Sequence, residues 1–120
     1  MRDSLTRFLE RRGYRVDSAT DIDSALARFA ELSVDAAVLD VVLPHGDGPV
    51  RSGLDLLGWL RERPATARLP VVILTGYPLE DAARALLERF DAALFYKPED
   101  YASLVRHLEE VIRQPRPPAE

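Results

Sequence analysis

Three short apolar runs, each closed by a polar residue, set the strongest limit on what this chain can fold into. Ala36-Ala37-Val38-Leu39 ends at Asp40, Val71-Val72-Ile73-Leu74 at Thr75, and Ala92-Ala93-Leu94-Phe95-Tyr96 at Lys97. None has helical periodicity, and each is short enough to be a strand buried on both faces. Stretches with helical spacing separate them, so strands alternate with helices and the expected sheet is parallel and covered on both sides. In such a sheet successive strand ends lie at one edge, where open α/β sheets bind ligands. An acid, a hydroxyl and an ammonium would then meet there, a combination suited to handling a phosphoryl group.

The helical stripes can be placed from their apolar spacing and punctuation. Leu5, Phe8 and Leu9 mark a first helix stopped by Gly13. Tyr14 to Ser18 reads as a short, half-polar strand. Thr20 or Asp21 caps a helix that buries Ile22, Ala25, Leu26, Phe29 and Leu32. A loop rich in glycine and proline follows Asp40 to about Gly53, and the next helix turns Leu54, Leu57 and Leu60 inward before Pro64. Pro70 opens the second apolar run, Glu80–Phe90 reads as a helix, and Pro98 ends the third run. The last helix buries Tyr101, Leu104, Val105, Leu108 and Ile112. Residues 1–113 thus make one domain, and the proline-rich 114–120 reads as a tail or linker.

Composition narrows the class of function. With 16 basic against 20 acidic residues the net charge is -4, which leaves no basic footprint for nucleic acid. No apolar run is long enough to span a membrane, and Met-Arg-Asp-Ser at the start does not resemble a signal peptide. The absence of cysteine removes disulfides and thiolate metal sites. The default placement is the cytoplasm.

Taken together, Asp40 with Leu43-Pro44 and Asp47-Gly48 after it, Thr75-Gly76, and Lys97-Pro98 resemble the receiver domain of two-component response regulators. Thr75 and Lys97 are 22 residues apart, as an intervening helix and strand require, and Asp40 and Thr75 are 35 apart. The longer gap holds Gly48-Pro49-Val50-Arg51-Ser52-Gly53, a short insertion before the third helix. The resemblance covers nearly the whole chain and implies a flavodoxin-like, doubly wound parallel sheet, for which this family is itself a standard example. It implies a signalling module rather than an enzyme. Asp40 would accept a phosphoryl group from a histidine kinase or phosphotransfer protein, Thr75 would hydrogen-bond the phosphoryl oxygens, and Lys97 would pair with the carboxylate or phosphate.

Departures from the family pattern carry expectations of their own. Receivers open on a buried strand ending in two acids that hold Mg²⁺, whereas Met1 here leads directly into the first helix. The matched metal ligands that remain are Asp40 and the backbone carbonyl of Val42, and Asp17, Asp21 and Asp23 are poor substitutes for the lost pair. Phosphotransfer is therefore expected to be impaired. The sheet has two ways to close the gap: the Tyr14–Ser18 strand pairs directly with the Asp40 strand, or a slot stays open and exchange between two copies gives a homodimer. The aromatic that usually stands three residues before the lysine is replaced by Leu94, with Tyr96 as a stand-in, and Tyr96 with Tyr101 is expected to form a partner surface. Two alternatives remain: a degenerate pseudo-receiver that binds or dimerises without phosphorylation, and a haloacid-dehalogenase-type phosphatase. The second needs a general acid where Val42 stands.

Overall fold

The computed structural model describes residues 2–97 and 101–113; the proline-rich 114–120 lies outside them. Five helices and three strands appear among the described residues: α1 Arg2–Arg11, α2 Ile22–Glu31, β1 Ala37–Asp40, α3 Gly53–Glu62, β2 Val71–Thr75, α4 Asp81–Arg89, β3 Ala93–Tyr96 and α5 Tyr101–Arg113. The strands pair in parallel in the order β1-β2-β3, with Asp40 opposite Leu74 and Thr75 opposite Tyr96.

Alternation along each strand divides the core into two layers. Ala37, Leu39, Val71 and Ile73 pack with Ile22 and Ala25 of α2, Leu56, Leu57 and Leu60 of α3, and Leu87 of α4. Val72 and Leu74 face the other way, onto Leu5 and Leu9 of α1 and Leu104, Val105 and Leu108 of α5. Right-handed crossovers account for the division. The steps β1 to β2 and β2 to β3 run in one direction, so α3 and α4 share a face, and α5 returns over the opposite one. All five residues of β2 are buried, as the central strand of a doubly covered sheet requires. This is the flavodoxin-like α/β architecture implied by the sequence.

Local signals set the helix ends. Gly13 takes a left-handed φ of +92° and closes α1, its N–H donating to Glu10 O at 3.0 Å. Asp21 caps α2 by accepting from Ser24 N–H at 2.7 Å, and that bond holds its carboxyl below the ordinary carboxylate value. A carboxyl with a depressed folded pKa stabilises the fold above its unfolded pKa, and the contribution fades as pH falls through the folded value. Asp21→Ala is accordingly expected to melt earlier than the parent at neutral pH. The gap should narrow below about pH 4, where carboxyls protonate, and melting curves across that range check it.

One sequence expectation fails. Residues 14–19 have no regular secondary structure and pair with no strand among the described residues. Tyr14 and Val16 pack instead against the α1/α5 layer. A segment with Arg15 and Asp17 interleaved cannot be covered on both faces, so it stays back from β1. Of the two arrangements left open above, the structure takes the slot: a cavity of about 650 Å³ lies between residues 14–19 and β1.

Candidate functional site

Asp40 and Thr75 are the last residues of β1 and β2, and Lys97 directly follows β3. All three stand at the carboxyl edge of the sheet. The Lys97 ammonium pairs with Asp40 Oδ1, spanning the end of the intervening β2, and the two side chains are 14% and 39% exposed. The backbone reinforces this reach, since Lys97 N–H donates to Thr75 O at 2.9 Å. An acid and a base two strands apart are thus held together by strand register. The lysine is largely shielded, and the carboxylate keeps an open side.

Thr75 is placed differently from a direct partner of either group. Its hydroxyl is buried and closes a turn with Tyr77, donating to Tyr77 O at 3.2 Å and accepting from Tyr77 N–H at 3.2 Å. Beside it, a Cβ on Gly76 would meet nothing within 4 Å, so the space over the strand ends is open. Among the described residues, the large apolar side chains of Val42 and Tyr77, two residues beyond Asp40 and Thr75, are exposed to solvent, at 81% and 76%.

The loop after Asp40 is anchored at both ends. Pro44 O accepts Ile22 N–H at 2.9 Å, tying the loop to the start of α2. Val41 O accepts Gly53 N–H at 2.9 Å, and Ser52 caps α3 by accepting from Asp55 N–H at 3.1 Å. The inserted segment is ordered by Arg51, whose Nε donates to Gly48 O at 3.0 Å and whose N–H donates to Asp55 Oδ2 at 2.9 Å. Asp47 and Gly48, which carry part of the family resemblance, are exposed in this loop. The glycine that abuts the site is Gly53: a Cβ there would collide with the Asp40 carbonyl oxygen. Sequence reasoning missed this role, although Ser52 three residues before Asp55 is a recognisable helix start.

The remaining candidates sort by position. Among the described residues no group of three or more histidines and carboxylates could hold a metal ion. Asp17 lies 3.8 Å from Arg15, Asp21 is occupied as a cap, and Asp23 rests against Gly46. Asp40, already paired with Lys97, and the carbonyl of Val42 do not by themselves fit the near-octahedral oxygen set of Mg²⁺. Leu94 packs into the α2/α3 layer. Arg84 donates to Tyr96 Oη at 3.3 Å on the α4 side. Tyr101 turns the other way, into the α1/α5 layer with its hydroxyl oxygen buried. Burial pushes the Tyr101 hydroxyl above its ordinary pKa, with Lys97 nearby opposing the rise. The two tyrosines therefore do not share one surface. No helix among the described residues is long and apolar enough to cross a membrane.

Known proteins share this fold. The structure resembles the receiver domain of NtrX from Brucella abortus, with a TM-score of 0.78 and 25% identity, covering 95% of this chain and 91% of that one. A response regulator protein from Burkholderia pseudomallei, solved with a phosphorylated aspartic acid, a calcium ion and citrate, gives a TM-score of 0.69 at 29% identity. That match covers 91% of this chain and 62% of the other. In sequence, the chain is 33% identical over 110 residues to the phosphate regulon transcriptional regulatory protein PhoB of Rhizobium meliloti, covering 91% of this chain but 46% of that protein. The sequence model of the response regulator receiver domain matches residues 1–109, and with the parallel sheet and its strand-end acid, hydroxyl and lysine this places the chain in the response regulator receiver domain family.

Proposed function

We propose that Asp40 is a phosphoacceptor, served by a histidine kinase or a phosphotransfer protein, and that the chain signals through protein contacts. The observation that carries the reading is the Lys97–Asp40 pair at the carboxyl edge, beside a buried threonine hydroxyl and open space at Gly76. In the transfer, an Asp40 carboxylate oxygen attacks phosphorus, a P–O bond forms and the P–N bond to the donor imidazole breaks. The imidazole leaves with the electron pair and is protonated from solvent. Such transfer is mostly positioning and charge neutralisation. Lys97 supplies the cation paired with Asp40 among the described residues, and the Thr75 hydroxyl would exchange Tyr77 O for a phosphoryl oxygen while still accepting from Tyr77 N–H.

The family's divalent cation would neutralise charge on the phosphoryl oxygens, but the donors among the described residues do not fit it, so every role assigned here belongs to protein groups. With a single cation against an incoming phosphate, transfer is expected to be slow and little changed by Mg²⁺. The same poverty of metal ligands favours a second reading, a binding module that works without phosphorylation.

Incubation with acetyl phosphate, followed by intact-mass measurement, separates the two. The first reading expects slow gain of one phosphoryl group, lost on hydroxylamine treatment and absent in Asp40→Asn. Lys97→Met should slow the gain about a hundredfold, the usual effect of removing one donor from developing oxyanion charge. No gain in the parent chain under any donor or metal condition would leave the binding module.

A further inference from the structure

The loop inserted after Asp40 holds the chain's sole aspartate–glycine step, Asp47-Gly48, and the chain has no asparagine. Ser52 caps α3 and Gly53 makes the close approach to Asp40 O. Neither duty falls on Asp47 or Gly48, and both are exposed. The N–H of the following residue sets Asp47 apart from four other aspartates. After Asp21, Ile22 N–H donates to Pro44 O at 2.9 Å, and after Asp23, Ser24 N–H donates to the Asp21 carboxylate at 2.7 Å. After Asp55, Leu56 N–H donates to Ser52 O at 3.0 Å, and after Asp91, Ala92 N–H donates to Leu87 O at 2.9 Å. Gly48 N–H has no acceptor among the described residues. A Cβ on Gly48 would meet nothing within 4 Å, so no neighbour crowds it.

We propose that Asp47-Gly48 is a modification site, where the aspartyl linkage isomerises spontaneously to an isoaspartyl one. The Gly48 amide nitrogen attacks Cγ of the protonated Asp47 carboxyl. A C–N bond forms, the C–OH bond breaks, and the hydroxyl and the amide proton leave together as water. Water then adds to either carbonyl of the resulting cyclic imide. Addition at the main-chain carbonyl breaks its bond to the Gly48 nitrogen, which regains a proton. The chain then runs through the side-chain carbonyl, and the α-carboxylate is free. Water is released and taken up again, and no other reagent is needed. Glycine suits the step because its backbone turns freely and no side chain hinders its nitrogen. Arg51 favours the isoaspartyl product. Its Nη2 donates to Asp47 O at 3.4 Å, polarising the carbonyl that water must attack. The same oxygen then belongs to a carboxylate facing the guanidinium, and a neutral contact becomes a charged one. This inference does not depend on the chemistry assigned to Asp40.

The test ages the folded protein at physiological temperature in mildly acidic ¹⁸O-water and follows Asp47 by peptide mapping. Each ring opening adds an ¹⁸O atom, and isoaspartate blocks the cut that an aspartate-specific protease makes before Asp47. Progressive ¹⁸O at Asp47 and loss of that cut are expected, at a rate within several-fold of a capped peptide of residues 44–51. Gly48→Ala, for which there is room, should slow both several-fold. Asp17-Ser18, also exposed and outside regular structure, is the internal comparison. An Asp47 that stays intact while the peptide isomerises, or that lags behind Asp17, overturns the proposal. So do equal rates in the parent and Gly48→Ala. Arg51→Gln should lower the isoaspartate share of the product, and an unchanged share overturns the role given to Arg51.

Discussion

Gly53→Ala is expected to cost about 3 kcal/mol, the upper end of what forcing a methyl into packed structure does. The added carbon would overlap the Asp40 carbonyl oxygen, a backbone atom that cannot rotate aside. Relief requires α3 to retreat or the end of β1 to bend, and either breaks the 2.9 Å bond from Gly53 N–H to Val41 O. Urea denaturation should therefore show a lower midpoint with an unchanged slope. Gly48→Ala is the matched control, because nothing lies within 4 Å of a Cβ there, and a surface change of that kind stays within about 0.5 kcal/mol. Equal losses at the two glycines would contradict the assigned close approach. Because the displaced atom belongs to Asp40, the folded Gly53→Ala protein should also gain phosphoryl groups more slowly than the parent.

Arg61→Leu is expected to destabilise by a similar amount, about 3 kcal/mol, while leaving Asp40 chemistry in the folded fraction intact. The guanidinium donates to Leu69 O at 2.7 Å, Phe90 O at 2.8 Å and Thr66 O at 3.2 Å. It thereby ties the end of α3 to the turn before β2 and to the end of α4. Burial pulls the Arg61 pKa below its ordinary value, partly offset by Asp91, yet an arginine stays charged across the accessible range. Leucine keeps the apolar stem but strands the carbonyls of Leu69 and Phe90, each costing roughly 1–3 kcal/mol if it stays dry, while Thr66 O keeps its bond from Leu69 N–H at 3.1 Å. The losses overlap, since water reaches a half-buried site. Arg61→Lys should recover only part of the stability, because an ammonium lacks the planar fork that serves several carbonyls. Full recovery by lysine would show that charge alone matters there.

The outline of both the fold and the site was legible because it rests on strong local signals. Val71–Leu74 reads as a strand buried on both faces, and Gly13, Asp21 and Pro70 punctuate the chain where the elements change. Asp40, Thr75 and Lys97 were found together because each ends an apolar run of the same kind. What stayed illegible depends on contacts between distant segments. Tyr14–Ser18 has a strand-like sequence, but a strand exists only against a paired neighbour, and the β1 edge lies across a cavity. Tyr101 fits a buried stripe and an exposed surface equally well on paper, and only the placement of α1 and α5 turns it inward. The ST-turn at Thr75 and the approach of Gly53 to Asp40 belong to loop conformation, which residue spacing does not encode.

The direct measurement is to phosphorylate the protein from a phosphohistidine donor, reduce any acyl phosphate with tritiated borohydride, and locate the label by peptide mapping. Label is expected in the peptide bearing Asp40 alone, in low yield, with none in Asp40→Asn and less in Lys97→Met. Label at Asp23 or Asp47 instead, or a donor that never loses its phosphoryl group to the chain, would contradict it.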